Sequence, residues 1–494
     1  MKFLWFSIAV AVAGSVFAQP PDIDPRYHTY DEVLAEVSAL ADTYSSICYV
    51  ETLGYSGTFS LPIVAVKLSD NASIDEDESV VLIDGGQHAN EPAGTETVMW
   101  LLHYLTSHYG SDTDVTRWLD SLQLWFIPVV NVDGRQIVMN ESSPHSLHWR
   151  KTTRDNNENG EFDFGIDGVD PNRNYDYKWD EYDSTDWSSV NYKGPYAWSE
   201  NCVVAVRDFV EHYRPTFLVD LHSPDSTGGN KLWFCWFDTS LGVYHQGGFP
   251  HYLNIAIELA ANTETEIDGQ YYEYAASHND RPKLQLWSYW FTGTCSIIME
   301  ITNQCFWTGD TVDTIAARVG RGLFYLFDRM FYGGLIVKAF DSESGTPLQA
   351  QVIIDGVTDT TFPARICDYH GRYHRLLYDG NYTVHIKYDT LEQVFENVAI
   401  SSDSNTYIEA DFPGANITEQ TDNDDVNIKL LADRIIFIAP RGTVEIFDVA
   451  GHKIFEKRFR NGMVIMRNRF PEGVYFAKLS SDSKTIKKKF ISIK

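Results

Sequence analysis

The chain has 494 residues and a formal net charge of −30, with 69 Asp and Glu against 39 Lys and Arg. That length exceeds what one hydrophobic core can organise, so roughly two to four domains are expected. The negative charge repels a phosphate backbone and argues against nucleic acid as a partner, while a hydrophobic content of 44% is that of an ordinary globular protein.

The first 18 residues read as a secretory leader. Lys2 supplies the positive start, Phe3 to Val12 is apolar, and Val16-Phe17-Ala18 ends in the small residue that cleavage needs. The apolar run is too short to span a bilayer, and no later segment is long and apolar enough to do so. The mature chain is expected to begin near Gln19 as an exported protein, secreted or at the cell surface, without a permanent transmembrane segment.

From residue 27 to residue 330 helical and strand patterns alternate. Tyr30 to Tyr44 carries Val33, Leu34, Val37 and Leu40 at helical spacing, and Leu61 to Leu68 and Val80 to Ile83 read as strands. Thr95 to His108 predicts a helix and Leu122 to Val130 a buried strand. Ser199 to Tyr213 predicts another helix, with Ser199 at its N-cap. Phe217 to Leu221 and Ser296 to Ile301 are further apolar strands. Such alternation implies an α/β domain with a mixed, mostly parallel sheet flanked by helices, whose ligands sit at the carboxyl ends of the strands.

After Tyr332 the pattern changes. Leu335 to Phe340, Ala350 to Ile354, Tyr373 to Leu377 and Tyr382 to Ile386 alternate at period two, with turn signals at 344–347 and 379–381. A small β-sandwich over 332–412 is expected, then a polar, acidic linker over 413–426. Residues 427–494 read as a second small all-β unit, with strands at Thr443 to Val449 and Val474 to Leu479. From residue 425 onward there are 15 Lys and Arg against 7 Asp and Glu, a net +8 on a chain whose remainder carries −38. This asymmetry marks the C-terminus as separate.

The six cysteines, Cys48, Cys202, Cys235, Cys295, Cys305 and Cys367, contain no C-x-x-C pair. They read either as buried thiols or as one disulfide, for which Cys295 and Cys305 are the close pair.

Metal chemistry is suggested by Gly85-Gly86-Gln87-His88-Ala89-Asn90-Glu91, which leaves the apolar run Val80 to Ile83. An imidazole and a carboxylate three residues apart on one turn, with His222 ending a distant apolar run, suit a catalytic zinc with an open fourth position. A calcium-loop spacing occurs at Asp155, Asn157, Asn159 and Asp163, with Gly160 at position 6, but position 12 is Ile166. That loop reads either as a Ca2+ site or as a polar turn.

These motifs stand in order with Asn131-Val132-Asp133-Gly134-Arg135, Trp149-Arg150-Lys151, Gly168-Val169-Asp170-Pro171-Asn172-Arg173-Asn174 and Tyr192-Lys193-Gly194-Pro195. The series resembles the zinc carboxypeptidase family, over a catalytic domain at 19–331. The resemblance implies Zn2+ on His88, Glu91 and His222, Glu300 as general base, and Arg150 on the oxyanion of the tetrahedral intermediate. It implies Asn172 and Arg173 as the holders of a peptide's terminal carboxylate. Tyr274 matches the tyrosine that closes over substrate, with Tyr271 and Tyr272 as rivals, and placing it requires an insertion at Asn279 to Lys283. No inhibitory prosegment is expected between Gln19 and Arg26.

Asn90 and the sandwich, with Gly371 to Leu377 followed by Gly380 to Val384, resemble prohormone-processing members and their transthyretin-like domain. Gln285, and Asp238 after a loop insertion, then match residues that read a basic C-terminal side chain. Trp149-Arg150-Lys151 and Asp176 to Trp179 resemble bacterial digestive members instead. Residues 427–494 resemble the C-terminal sorting domain of type IX secretion substrates, which implies outer-membrane secretion machinery as a partner; one more adhesive sandwich is the plainer alternative. The expected protein is an exported zinc metallocarboxypeptidase acting on peptide or protein C-termini, with Lys or Arg ends favoured. The alternatives are an amidase or cell-wall peptide hydrolase of the same family, or an inactive surface-binding protein.

Overall fold

Thr29 opens the first helix, accepting from the Glu32 amide while the Glu32 carboxylate takes the Thr29 amide in a capping box. A computed structural model describes residues 23–140, 146–223, 228–238, 243–244, 249–278, 280–359, 362–413, 427–430, 434–438, 441–447, 453–460, 463–466, 473–481 and 485–492. The expected leader at 1–18 and all but Pro413 of the expected linker lie outside the described residues.

The chain divides into two compact units, one ending at Ala415 and the other beginning at Asn416. The first opens with α1 (Tyr30–Thr43), β1 (Cys48–Tyr55), β2 (Pro62–Leu68), β3 (Ser79–Asp84), α2 (Ala93–His108), α3 (Thr113–Leu119), β4 (Leu122–Ile127) and α4 (Val132–Asn140). It continues with α5 (Asn201–Tyr213), β5 (Phe217–His222), β6 (Lys231–Asp238), β7 (Val243–Tyr244), α6 (Phe249–Asn262), β8 (Glu273–His278), α7 (Leu284–Thr292), β9 (Cys295–Glu300) and α8 (Thr311–Arg329).

The nine strands form one sheet in the order β1-β2-β4-β3-β5-β9-β6-β7, with β8 beside β6. Its centre is parallel from β4 through β3 and β5 to β9; β1, β2 and β4 pair antiparallel on one flank, and on the other β6 runs antiparallel to β9 and β7 and parallel to β8. Every residue of β3, β4 and β5 is buried, as a parallel sheet covered on both faces requires. This is the mixed, mostly parallel sheet expected.

Details differ. Helix α5 is entered by Glu200 rather than Ser199, because Ser199 turns its hydroxyl onto the Glu200 carboxylate at 2.7 Å. Strand β4 stops at Ile127, before Pro128. No disulfide forms between Cys295 and Cys305 or elsewhere, and all six cysteines are buried.

Still within the first unit follow β10 (Gly334–Phe340), β11 (Gln351–Ile354), β12 (Arg365–Ile366), β13 (Arg372–Leu376), β14 (Gly380–Tyr388), β15 (Leu391–Ile400) and β16 (Thr406–Asp411). They make two sheets, β13-β10-β16 and β12-β11-β14-β15, around Leu335, Val337, Val352, Ile354, Val384, Ile386 and Ile408. This sandwich holds the α/β layer through arginines. Arg375 is 2% exposed, donates to the Gly293 carbonyl at 2.9 Å and the Tyr252 hydroxyl at 2.6 Å, and lies 4.3 Å from the Phe362 ring centre. Arg365 donates to the Tyr289 carbonyl at 3.2 Å. Those carbonyls end α7, where the helix dipole favours a cation. Arg375→Ala removes two charge-assisted bonds and a buried stacking partner, and is expected to lower stability by about 3 kcal/mol or more. Urea unfolding measures this, and a change under about 0.5 kcal/mol, the size of an ordinary surface substitution, would sink the claim.

The second unit contains β17 (Asn427–Leu430), β18 (Arg434–Ile438), β19 (Arg441–Phe447), β20 (Lys453–Arg460), β21 (Met463–Met466), β22 (Gly473–Ser480) and β23 (Thr485–Ser492). They form a three-stranded sheet, β17-β18-β21, and a four-stranded one, β20-β19-β22-β23. Val444, Ile446, Ala477 and Leu479 are buried at the period of two that the sequence shows. Among the described residues, no helix is long and apolar enough to cross a membrane.

Candidate active site

Three parallel strands end at one place. The β5–β9 register sets His222 beside Glu300, and the β3–β5 register sets Asp84 beside Asp220. The loop after β3 turns at Gly86, whose φ of +63° favours glycine, and runs into α2 through Gly94. A Cβ on Gly94 would lie 2.9 Å from the Leu221 carbonyl oxygen, so only glycine lets α2 start against β5. His88 and Glu91 sit on that loop, facing His222.

The three side chains are almost fully buried, at 3%, 4% and 3% exposure. The Nδ1 atoms of His88 and His222 are 2.9 Å apart, and they lie 3.0 Å and 2.8 Å from the two Glu91 carboxylate oxygens. Each ring's other nitrogen is taken by a carboxylate: His88 Nε2 by Asp170 at 3.1 Å and His222 Nε2 by Asp220 at 2.9 Å. That partner keeps the proton on Nε2 and turns the Nδ1 lone pair inward. Two lone pairs and a carboxylate converging on one point need a cation, and the N2O donor set with room beside it suits Zn2+. Asp170 and Asp220 are residues the sequence reading missed. Their signal was available, since an acid in the apolar run Phe217 to Leu221 needs a buried partner.

Electrostatics follow from this packing. Burial raises the Glu91 carboxyl, but His88 and His222 outweigh it and hold it well below the ordinary range. Burial likewise opposes the charge on Asp170, and Arg150, Arg173 and His88 prevail and keep it ionised. Arg150 donates Nε and Nη2 to Asp170, each at 3.1 Å, and Nη1 to Glu91 at 3.0 Å. The Glu300 side chain makes no hydrogen bond to any described residue. Its carboxyl is raised by burial, with His222 opposing.

These groups line one cavity of about 370 Å³ that contains His88, Glu91, His222, Arg150, Asn172, Arg173 and Glu300. Asn90, His148, Val190, Lys283 and Ile298 complete it. Arg173 donates Nη1 to the Asn172 carbonyl at 2.6 Å and Nη2 to Asn191 at 3.1 Å, while its buried Nε has no partner. Asn172 is spent inside the protein: its Oδ1 accepts from the Leu284 amide at 3.0 Å and its Nδ2 approaches His222 at 3.1 Å.

Residues 33–308 match the model of the zinc carboxypeptidase family. The chain belongs to that family. Its metal ligands are His88, Glu91 and His222, and it is a zinc carboxypeptidase. Carboxypeptidase B of Astacus astacus is 30% identical over 260 residues, which span 51% of this chain and 77% of the relative. A zinc carboxypeptidase of Saccharothrix mutabilis subsp. capreolus is 30% identical over 155 residues, 31% of this chain and 33% of the relative. The crystal structure of a carboxypeptidase A from Helicoverpa armigera superposes with a TM-score of 0.50 at 19% identity, covering 60% of this chain and 72% of that one, and shares the fold. Residues 422–494 match the secretion system C-terminal sorting domain, so this carboxypeptidase is an exported protein, secreted or at the cell surface.

Four expectations fare differently. Gln285 is fully buried, its Oε1 accepting from Ser277 at 2.7 Å and its Nε2 donating to the Trp233 and Ser296 carbonyls, so its amide faces the protein and not the cavity. Asp238 ends β6, and its side chain lies outside the described residues. Tyr274 lies on β8, 45% exposed, and is absent from the cavity wall. Its rival Tyr272 is buried with its hydroxyl on the Ile301 carbonyl at 2.7 Å. The loop of Asp155, Asn157, Asn159 and Asp163 closes on itself. Asp155 accepts from the Gly160 amide at 2.7 Å, and Asp163 accepts from the Asn157 and Asn159 side chains at 3.0 Å and 2.7 Å. Its own N–H groups thus satisfy the oxygens a cation needs, and calcium finds no support there.

Proposed function

We propose that this carboxypeptidase removes the last residue of peptides bearing a free α-carboxylate, after export that uses the type IX machinery through residues 427–494. The observation that carries the reading is the gathering of zinc ligands, an unbonded carboxylate at Glu300 and the Arg173 guanidinium in one cavity. Zinc, when bound, supplies the Lewis acidity that makes water a nucleophile near neutral pH. Glu300 takes the proton from the attacking water and passes it to the leaving amine, so its raised pKa suits both duties. Arg150, held by Asp170 and Glu91, donates to the scissile carbonyl oxygen as charge develops on it. Arg173 pairs its remaining Nη N–H groups with the terminal carboxylate. Asn172 acts by orientation, tying α7 to the metal site through Leu284. A closing role for Tyr274 needs a movement of β8 toward the cavity. Preference for C-terminal Lys or Arg is left with Asp238 as its direct motive and Asn90 and the sandwich as indirect support, since the Gln285 amide is engaged elsewhere.

The test compares free-acid and C-terminally amidated peptides. Wild type is expected to cleave the acids and barely touch the amides. Arg173→Ala is expected to raise KM for the acids by about 10²-fold, the worth of one or two charge-assisted hydrogen bonds, and to leave the amides little changed. Equal cleavage of acids and amides by wild type would instead assign an amidase or endopeptidase.

A further inference from the structure

Lys283 lies at the head of α7, in the stretch where the family pattern requires an insertion. It caps no helix amide with its side chain. It lines the substrate cavity together with Arg173, Asn172 and Glu300. Its backbone amide bonds to the Arg281 carbonyl at 2.9 Å, but its ammonium has no hydrogen bond or ion pair with any described residue. Burial, and then repulsion from Arg173 and Arg281, lowers its pKa to about 8 against the pull of Glu300 and Asp280. A half-buried cation beside a second cation is costly unless something negative arrives.

The described cavity wall offers no counterpart for a basic substrate side chain. Its carboxylates are Glu91, which holds the metal, and Glu300. Arg173 and Lys283 together offer two positive groups, and a C-terminal Asp or Glu carries two carboxylates. We propose that Lys283 reads the side chain of the substrate's last residue, so that the enzyme prefers peptides ending in Asp or Glu. This rests on the carboxypeptidase reading above. A C-terminal Leu leaves the ammonium desolvated and unpaired, and a C-terminal Lys or Arg adds repulsion, so both are selected against.

The experiment measures kcat/KM for matched peptides ending in Glu, Leu and Arg, on wild type, Lys283→Met and Lys283→Glu, with zinc content and thermal melting as checks on folding. Wild type is expected to favour Glu over Leu by at least about tenfold and over Arg by about 10²-fold, as one charge-assisted hydrogen bond predicts. In Lys283→Met the Glu-to-Leu ratio is expected to fall at least about tenfold. In Lys283→Glu the order is expected to turn over, with Arg above Glu. A purely structural role for Lys283 moves all three substrates together and does not reverse their order. Equal loss on all three in Lys283→Met overturns the proposal and places the ammonium on the α-carboxylate. A wild-type preference for Arg or Leu overturns it too, while leaving the carboxypeptidase reading standing. No hydrolysis of any free-acid peptide by wild type overturns that reading and this one with it. If Lys283→Glu does not fold, the ratio in Lys283→Met decides alone.

Discussion

His222→Ala is expected to lose most of its zinc and with it nearly all hydrolysis. The substitution removes one of three ligands and leaves Glu91 with one imidazole partner in place of two. It also takes from Asp220, which is 0% exposed, its 2.9 Å partner His222 Nε2 and leaves it the longer 3.4 Å bond from Asn172. Loss of a partner on a ligand costs ~10–100-fold in metal affinity, so loss of the ligand itself should cost more. Metal analysis after dialysis measures the first effect, and peptide turnover the second. The pH dependence of zinc retention in wild type has a definite sign. Without metal, Asp220 and Glu91 hold the His222 imidazole protonated well above the ordinary histidine range, although burial opposes the charge. Zinc needs the neutral ring, so protons compete with it and retention falls as pH falls. Full zinc content in His222→Ala, with metal in wild type, would falsify the ligand assignment.

How much of this was legible in the sequence depends on whether a feature is local. The loop from Gly85 to Glu91 and the run from Phe217 to His222 were readable because strand ends and ligands coincide there. The apolar runs that became β3, β4 and β5 stand out because both faces of those strands are covered. Helix α8 escaped notice although it has 19 residues. Its buried positions, from Val312 to Phe327, are spread among Arg and Asp residues, and Gly320 and Gly322 weaken its helical propensity. Those glycines are there for packing: a Cβ on Gly320 would fall 2.3 Å from the Trp100 ring, and one on Gly322 would fall 2.2 Å from Thr263. The orientation of Gln285 was not legible for another reason. The resemblance matches the residue by its place in the sequence, but place in the sequence does not say which way a side chain points. Ser277 on β8 and the carbonyls of Trp233 and Ser296 turn the amide inward, and all three come from other elements. Lys283 was invisible as a site residue because it belongs to no motif of its own. The polar loop at 155–163 shows the converse: a spacing can match a metal site while the loop's own amides already satisfy the oxygens.

Glu300→Gln is expected to fold, to bind zinc and to hydrolyse at least about 10²–10⁴-fold more slowly than wild type, the usual worth of a general base. The substitution keeps shape and volume. It also removes no hydrogen bond, because the Glu300 carboxylate has none to the described residues, and β9 continues to pair with β5 and β6 through its backbone. The metal ligands are untouched, so zinc content separates this variant from His222→Ala. KM is expected to move little, since Arg173 and not Glu300 is assigned to the terminal carboxylate; the loss belongs to kcat. A carboxamide cannot accept the proton of water, and the acid limb of kcat/KM against pH reports the ionisation of a base. Wild type should therefore show an acid limb, and the variant's residual activity should lack the part that Glu300 contributes. The raised carboxyl of Glu300 puts that limb above the ordinary Glu range, while bound zinc pulls it back down. Turnover near wild type in Glu300→Gln would move the base elsewhere in the cavity. His148 would then be the group to test, because it is the one imidazole of the described wall that does not bind the metal.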